Sequence, residues 1–258
     1  LRANATLLGQ ACVGVRLDVV CAPVLDLRLP GAHGVIGDRA FSEDPAEVAR
    51  LGTAFVVGLQ AAGAIPVIKH IPGHGRATAD SHVELPRVTA PKSALAADIA
   101  PFRALAGSGA WAMTAHVLYE AWDSVRPATL SPTIVGQVIR TAIGFDGVLV
   151  TDDLAMGALK GTSNDLAVAS LDAGCDLVLH CTGRIEESAA LLATCPALTD
   201  RGAERMAAAR AARDAFRDRR PEAHLELAVE HRRPGLGRLQ CAPQVVLQRQ
   251  FGFAGQGR

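Results

Sequence analysis

The chain has 258 residues, of which 49% are hydrophobic, and this composition indicates a globular protein with a sizeable core rather than a disordered one. Its 26 Lys and Arg residues equal its 26 Asp and Glu residues, so net charge gives no reason to expect nucleic acid or an anionic membrane as a partner. No apolar run approaches the roughly 18 residues that a membrane-spanning helix requires.

The cysteine usage indicates a reducing compartment. The six cysteines show no CxxC spacing, and several lie in apolar runs, which favours buried free thiols. The sequence shows no signal peptide, but it begins with Leu1 rather than Met, so a missing upstream segment is an open alternative.

Five short apolar runs predict β-strands. Continuous apolar runs of this length are typical of parallel strands that are covered on both faces. The predicted strands are Val19–Leu25, Ala64–Ile68, Trp111–Val117, Gly147–Val150 and Asp176–His180. Helical patterns separate them, and this alternation predicts an α/β fold with a parallel sheet.

Helix start and stop signals lie between the predicted strands. Asp44 and Pro45 predict an N-cap and a first helical residue, and Glu47 predicts a capping box. Glycines end the next two predicted helices. The further predicted helices are Ser131–Gly144, Asn164–Ala173 and a basic helix over Leu198–Arg219.

The last part of the chain has a different character. From Pro221 to Arg258 there is little periodicity, and Pro, Gly, Arg and Gln are scattered through it. We therefore expect one barrel-type domain over residues 1–219 and an irregular, loosely packed tail over residues 220–258.

Polar residues stand where the predicted strands end. In α/β folds, catalytic groups gather at the carboxyl ends of the strands. Several strands that each contribute one such group favour a barrel over an open sheet, although about five βα units are visible where a full barrel needs eight. These polar residues are Asp26, Lys69, His70, His116, Asp152 and Asp153.

The stretch KHIPGHGRATADSH, residues 69–82, allows several interpretations. A metal site would use His70, His74, Asp80 and His82, but the proline and glycines break the helix that a His-x3-His zinc pair needs. The glycines also lack the Walker spacing of a phosphate cradle. A polar surface loop does not explain why a lysine and a histidine directly follow an apolar strand.

A further interpretation of this stretch is acid–base chemistry. If the loop folds back, Asp80 bonds one ring nitrogen of His82 and raises the basicity of the other, so that His82 acts as general acid and base near neutral pH. Lys69 and His70 would then donate hydrogen bonds to a hydroxylated ligand.

The second stretch of interest is GFDGVLVTDDLAMGAL, residues 144–159. Its apolar strand delivers Asp152 to the end of the sheet. Local chemistry leaves three roles open for this carboxylate, namely a nucleophile on an anomeric carbon, a metal ligand or a helix cap.

Together with other segments, these two stretches resemble glycoside hydrolase family 3, and within it the β-N-acetylglucosaminidases of the NagZ type. The matching segments occur in the family's order and cover roughly residues 10–215, which makes the set far more specific than a lone motif. They are APVLDL (22–27), IGDRAFSEDP (36–45), KHIPGHGRATADSHVELP (69–86), MTAHVLY (113–119), GFDGVLVTDDLAMGAL (144–159) and SLDAGCDLVL (170–179).

The resemblance implies a TIM-type (β/α)8 barrel and hydrolysis of terminal β-linked N-acetylglucosamine with retention of configuration. It implies Asp152 as nucleophile, with Asp153 as the rival, and His82 as general acid/base oriented by Asp80. Sugar-binding residues carried over from the motifs are Arg39, Lys69 and His70. His74 is expected to shape its loop, His116 to line or brace the pocket, and Asp26 to support the site.

The resemblance also implies a biological setting. The substrate would be a muropeptide fragment in cytoplasmic peptidoglycan recycling, with no metal and no organic cofactor. We expect no nucleic-acid or membrane partner, and a monomer.

One departure from the family qualifies these expectations. The family's upstream motif D-x-E-G-G-x-V-x-R, whose aspartate and arginine bind the terminal sugar, has no counterpart here. About five units cannot close an eight-stranded barrel, so we expect a fragment or truncated chain whose activity is in question. The alternatives are a phosphorylase with the same site, an inactive sugar-binding or unfolded remnant, and a metal-dependent hydrolase.

Overall fold

The computed structural model describes residues 1–218 and 245–247 and shows an α/β fold built on a mainly parallel sheet. In chain order the strands are β1 (Val19–Val20), β2 (Ile65–Ile71), β3 (Arg87–Val88), β4 (Trp111–Thr114), β5 (Leu118–Tyr119), β6 (Leu149–Asp153), β7 (Leu177–His180) and β8 (Val245–Leu247). The main sheet has the order β1-β2-β4-β6-β7-β8, and its first five strands are parallel. The predicted fold class, an α/β fold with a parallel sheet, is confirmed.

The other pairings are short. Strands β3 and β5 form a separate parallel pair, and β8 runs antiparallel to β7. Apart from β8, the predicted irregular tail lies outside the described residues.

Helices connect the parallel strands. They are α1 (Arg2–Gly14), α2 (Pro45–Ala61), α3 (Lys92–Leu105), a π-helix (Ile134–Ala142), α4 (Ser163–Asp172), α5 (Ile185–Thr194) and α6 (Asp200–Asp218). Short 3-10 turns cover Gly37–Arg39 and Ala128–Leu130. The helix predicted after Ser131 is present, but over most of its length its backbone has the hydrogen bonding of a π-helix rather than of an α-helix.

The start of α2 confirms one capping prediction and corrects another. The Asp44 carboxylate accepts a hydrogen bond from the Ala46 N–H at 3.0 Å, as an N-cap should. The predicted capping box is wrong, because the Asp44 N–H donates to Ser42 Oγ at 3.1 Å. Glu47 instead pairs with Arg50 one turn further along the helix at 2.6 Å.

The strand boundaries differ from the prediction at the residues that matter most. β2 continues through Lys69 and His70, and β6 continues through Asp152 and Asp153, so these polar residues lie within strands rather than after them. The physical reason is that backbone pairing continues past the apolar run: Lys69 pairs with Met113 on one side and makes a bridge to residue 24 on the other. An apolar run in the sequence indicates which residues are buried, whereas the end of a strand is defined by its backbone hydrogen bonds.

Two predicted strands are shorter than expected. β1 ends at Val20, and Pro23, shortly after it, supplies no N–H to a ladder. β4 ends at Thr114, three residues before the end of its apolar run.

The sheet has two apolar faces, because successive side chains of a strand point to opposite sides. One face packs against the helices and includes Ile68, Ala112 and Leu149 with Val56 and Phe102. The other face is formed by eight buried residues and is partly covered by α6. These residues are Ile65, Val67, Trp111, Met113, Val148, Val150, Leu177 and Leu179, with Met206 and Ala209 of α6 packed against them.

Helix α6 lies across the end of the sheet where the strands begin. Arg213 and Arg217 contact Asp18, just before β1, at 2.9 and 2.5 Å. Arg205 contacts Asp146 at 2.8 Å and Asp176 at 2.9 Å, just before β6 and β7. The arginines of the predicted basic helix therefore pair with acidic residues at the amino ends of the strands. The carboxyl ends of the strands, on the opposite side of the sheet, are not covered by these ion pairs.

Among the described cysteines, Cys12, Cys175, Cys181 and Cys195 are free thiols. Cys175 and Cys195 are buried, and Cys12, Cys21 and Cys181 are half-buried. None of the described helices is both long enough and apolar enough to cross a bilayer.

Helix α1 has no counterpart among the predicted elements, because its sequence has only a weak apolar stripe. It is held by close packing against α2 through small residues. A Cβ added to Gly58 would lie 2.5 Å from Arg2 O and 2.7 Å from Ala5 Cβ, and one added to Gly9 would lie 2.5 Å from Ala62 Cβ. These contacts leave no room for a side chain between the two helices.

The close contact predicts the effect of Gly58→Ala. We expect this change to destabilise the protein by about 1–3 kcal/mol, because the added methyl group forces α1 away from α2. Gly136→Ala is the matched control, since its Cβ meets nothing within 4 Å. Thermal unfolding measures both variants, and a Gly58→Ala variant as stable as the Gly136→Ala control would show that α1 is not packed as described.

Candidate active site

Asp152 occupies the carboxyl end of β6 and faces His70 on β2. Its Oδ2 lies 3.7 Å from His70 Nε2, and its side chain is 20% exposed. Its Oδ1 accepts the N–H of the next residue at 2.9 Å. Parallel neighbours in the order β2-β4-β6 bring these two side chains to the same end of the sheet.

The surroundings of Asp152 favour its ionised form. Burial by itself would raise the pKa of this carboxyl. The imidazoles of His70 and His116, a backbone N–H and the Lys69 ammonium together outweigh burial, so the pKa is held below its usual value. A carboxylate that stays ionised and partly accessible is suited to act as a nucleophile.

Asp26 lies fully buried beneath His70 and fixes its orientation. Asp26 Oδ2 lies 2.6 Å from His70 Nδ1, and both carboxylate oxygens accept the His70 N–H at 3.2 Å. Oδ1 also accepts the His74 N–H at 2.6 Å. Because Asp26 is an acceptor, His70 Nδ1 carries a proton toward it, and His70 Nε2 faces Asp152.

The electrostatics of Asp26 follow from these bonds. Burial would raise the pKa of its carboxyl, but the charge and hydrogen bond of His70, followed by His74, outweigh burial and lower the pKa. Asp26, which we expected from the sequence to support the site, is thus a buried, ionised hydrogen-bond acceptor.

His116 follows β4 and braces the loop after β6. Its Nε2 donates to the Asp153 carbonyl at 3.1 Å, and its Nδ1 lies 2.7 Å from Thr129 Oγ1. Burial lowers the pKa of the His116 imidazole, although Asp152 and Asp153 oppose the shift. The ring acts as a donor to the backbone next to Asp152.

The two adjacent carboxylates of β6 have different surroundings. Asp153 Oδ1 accepts the N–H of Ala155 at 3.1 Å and the N–H of Cys181 at 3.0 Å. Those bonds tie the loop after β6 to the end of β7. The geometry therefore gives Asp153 a structural task and leaves Asp152 facing His70.

Asp80 and His82 form a second pair, on the loop between β2 and β3. Asp80 Oδ1 lies 2.8 Å from His82 Nδ1 and accepts the His82 N–H at 2.9 Å. The N–H and the ring of His82 lower the pKa of Asp80. The His82 side chain is 60% exposed, so its Nε2 is open to solvent and to a ligand.

Lys69 and Arg39 differ in how closely they approach this centre. Lys69 lies on β2 next to His70, and its charge acts on Asp152. Arg39 is exposed on the 3-10 turn, and its Nη1 donates to Val35 O at 3.4 Å. Within the described part of the chain, Arg39 forms no hydrogen bond with Asp152 or His70, so the structure brings together Lys69, His70 and Asp152 but leaves Arg39 apart.

The residues that a metal site in this loop would use each contact separate partners. His70 lies between Asp26 and Asp152, His74 Nε2 lies 3.1 Å from Ser81 Oγ, and His82 pairs with Asp80. Among the described residues, no three His, Cys, Asp or Glu side chains are grouped as metal ligands would be.

Two polar residues of the site escaped the sequence analysis. Ser81 holds His74 and thereby connects the two halves of the loop, and Thr129 holds His116. Ser81 lies between Asp80 and His82, so its place in the motif was a usable signal. Thr129 lies 13 residues after His116 in a short 3-10 turn, and no local pattern indicates that it reaches back.

The arrangement combines an ionised carboxylate with an accessible carboxylate–histidine pair. Such a set can attack an electrophilic carbon and transfer protons to and from an oxygen without a redox change.

Residues 2–214 match the model of the glycosyl hydrolase family 3 N-terminal domain. A β-hexosaminidase of Alkalilimnicola ehrlichii is 45% identical over 179 residues, which cover 68% of this chain and 51% of that protein. A β-hexosaminidase of Thiobacillus denitrificans is 44% identical over 169 residues, which cover 64% of this chain and 46% of that protein. The chain thus spans about half the length of these curated relatives.

Solved structures agree in fold. A family 3 β-N-acetylglucosaminidase of Paenibacillus sp. superposes with a TM-score of 0.75 at 34% identity, covering 88% of this chain and 45% of that one. NagZ of Neisseria gonorrhoeae superposes with a TM-score of 0.72 at 33% identity, and the match covers 84% of this chain and 66% of that one. The parallel sheet of this chain corresponds to a half-barrel within those structures. This chain belongs to glycoside hydrolase family 3 and matches its N-terminal domain.

Proposed function

We propose that the protein is a retaining exo-β-N-acetylglucosaminidase that removes terminal β-linked N-acetylglucosamine from muropeptide fragments during peptidoglycan recycling. The observation that carries the proposal is the ionised Asp152 beside His70 Nε2, at 3.7 Å, together with the Asp80–His82 pair. The β-hexosaminidase relatives support the substrate class. In this proposal, the half-barrel is part of a (β/α)8 barrel, and the enzyme acts as a cytoplasmic monomer on a carbohydrate alone.

In the first step, an oxygen of Asp152 attacks the anomeric carbon of the sugar. The bond from that carbon to the leaving oxygen breaks, and the oxygen takes the electron pair together with a proton from His82 Nε2. Asp80 accepts a hydrogen bond from the Nδ1–H of His82, so it orients the ring and stabilises the imidazolium before the transfer. The product is a glycosyl ester of Asp152.

In the second step, water attacks the anomeric carbon from the side that the leaving group left. His82 Nε2, now neutral, takes a proton from the water, and the Asp152 carboxylate departs with its electron pair. Two inversions give net retention of configuration. A histidine suits this exchange of roles because its ordinary pKa lies close to neutral pH.

Three residues are proposed to hold the sugar. Lys69 and His70, on β2 beside Asp152, are placed to donate to sugar hydroxyls. Arg39 is carried over from the family motif, and in this structure its Nη1 donates to the Val35 carbonyl of its own turn. No metal or organic cofactor enters either step.

The test is hydrolysis of p-nitrophenyl N-acetyl-β-glucosaminide, followed by proton NMR of the released sugar. We expect release of p-nitrophenol, with the β-anomer of N-acetylglucosamine appearing first and the α-anomer following by mutarotation. The matched control is the corresponding β-glucoside, which should be cleaved more slowly. Initial formation of the α-anomer would contradict the retaining mechanism, and turnover that requires phosphate and yields a sugar 1-phosphate would contradict hydrolysis.

A further inference from the structure

The segment that carries His82 rests on the loop that follows Asp152. The Gly157 N–H donates to the His82 carbonyl at 3.0 Å, and the Ala158 N–H donates to the Ser81 carbonyl at 3.1 Å. Two consecutive backbone bonds therefore join the segment of the proposed acid/base to the loop that follows the strand of the proposed nucleophile.

Residue 157 has no space for a side chain in this arrangement. A Cβ at position 157 would lie 2.6 Å from the Val83 carbonyl oxygen and 2.8 Å from the His82 carbonyl oxygen. Both obstacles are backbone atoms, which cannot rotate aside as a side chain can. Any larger residue must therefore push residues 82 and 83 away from the loop.

The segment over residues 80–84 would move as one unit. The Asp80 carbonyl accepts the N–H groups of Val83 and Glu84, each at 3.0 Å, and forms a tight turn. The Asp80 side chain holds the His82 ring at 2.8 Å within the same turn. A push on the carbonyl of His82 therefore displaces its imidazole as well, while the pairing with Asp80 is kept.

We infer that Gly157 is a positioning residue that sets the distance between the acid/base loop and the nucleophile strand through backbone contact alone. The inference deepens the proposed function and rests on it for the roles of His82 and Asp152. Gly157 itself touches none of the reacting atoms, so its effect must appear in steps that need His82.

The first measurement is hydrogen–deuterium exchange of the full chain and of Gly157→Ala, read by mass spectrometry. We expect residues 81–84 and 158–160 to exchange at least about tenfold faster in the variant, while residues 65–71 of β2 remain protected. Gly136→Ala is the matched control, because its Cβ meets nothing within 4 Å, and it should exchange like the parent. Unchanged exchange near His82 would overturn the inference, and so would a variant that fails to fold, since the glycine would then serve the whole fold.

The second measurement separates a position effect on His82 from general damage. With a 2,4-dinitrophenyl substrate the leaving group needs no proton, so loss of His82 function slows only the hydrolysis of the glycosyl ester. We expect kcat of Gly157→Ala to fall about 10- to 100-fold. Azide should restore the rate, because it attacks the anomeric carbon without a base and yields the β-glycosyl azide as the Asp152 carboxylate leaves.

The outcomes distinguish the inference from the proposed function. Faster exchange at residues 81–84 with no hydrolysis by the parent would uphold the contact and reject the function. Faster exchange with an undiminished kcat, or a lowered kcat that azide does not restore, would reject the positioning role while the function stands.

Discussion

Replacing Asp152 by asparagine is expected to lower kcat on a chromogenic N-acetyl-β-glucosaminide by roughly 10⁴-fold, the scale found when an activated nucleophile or its partner is removed. The amide keeps the shape of the side chain but cannot form the glycosyl ester. Because the side chain is partly exposed and faces His70 at 3.7 Å, we expect little change in thermal stability. Initial rates and a melting curve on the same preparation measure both effects.

The neighbouring acid provides the matched control. Asp153→Asn keeps an oxygen for the N–H groups of Ala155 and Cys181, so kcat should fall by no more than about tenfold, the scale of one hydrogen bond. Similar losses in both variants would leave the nucleophile unassigned, and a larger loss in Asp153→Asn would reverse the assignment.

Azide gives a second way to identify the nucleophile. In Asp152→Gly, azide can occupy the space of the carboxylate and attack the anomeric carbon directly, which inverts the configuration and gives the α-glycosyl azide. In His82→Ala, azide attacks the glycosyl ester and gives the β-product. A β-azide from the Asp152 variant would contradict its role.

The second large effect is expected from Asp26→Ala. Removing this fully buried acceptor leaves the His70 ring and the N–H groups of His70 and His74 without their partner. Breaking a buried network in this way costs about 3–5 kcal/mol in the free energy of unfolding. Denaturant titration at pH 7 measures the loss, with the exposed Asp172→Ala as the matched control, for which a change within about 0.5 kcal/mol is expected.

The pH dependence of that loss has a defined sign. The pKa of Asp26 is lower in the folded protein than the ordinary aspartate value of 3.8, so between the two values the unfolded chain binds more protons and stability rises with pH. The stabilisation by the ionised Asp26 is therefore complete above pH 3.8 and is lost as pH falls through the lowered pKa. The difference between parent and Asp26→Ala should shrink below that pH, and a difference that grew with acidification would contradict the assignment.

The amino-acid sequence was sufficient to predict the α/β fold class and to single out most of the polar residues that the structure places at the carboxyl end of the sheet. Apolar runs separated by helical patterns report a parallel sheet, because strands covered on both faces have no polar side to alternate with. The pairing of Asp80 with His82 was also predictable, since two residues of one tight turn can meet through local geometry alone. The family resemblance added the roles of these residues.

Contacts between residues that are distant in the chain became apparent only in the tertiary structure. The contact of His70 with Asp26 spans 44 residues, and the bond of Cys181 to Asp153 spans 28 residues. Backbone pairing placed Lys69 and Asp152 inside strands, and the contact of Gly157 with residues 82 and 83 reserved position 157 for glycine. No local pattern encodes such relations, because hydrogen-bond partners and close contacts between loops exist only after the strands have assembled in their order.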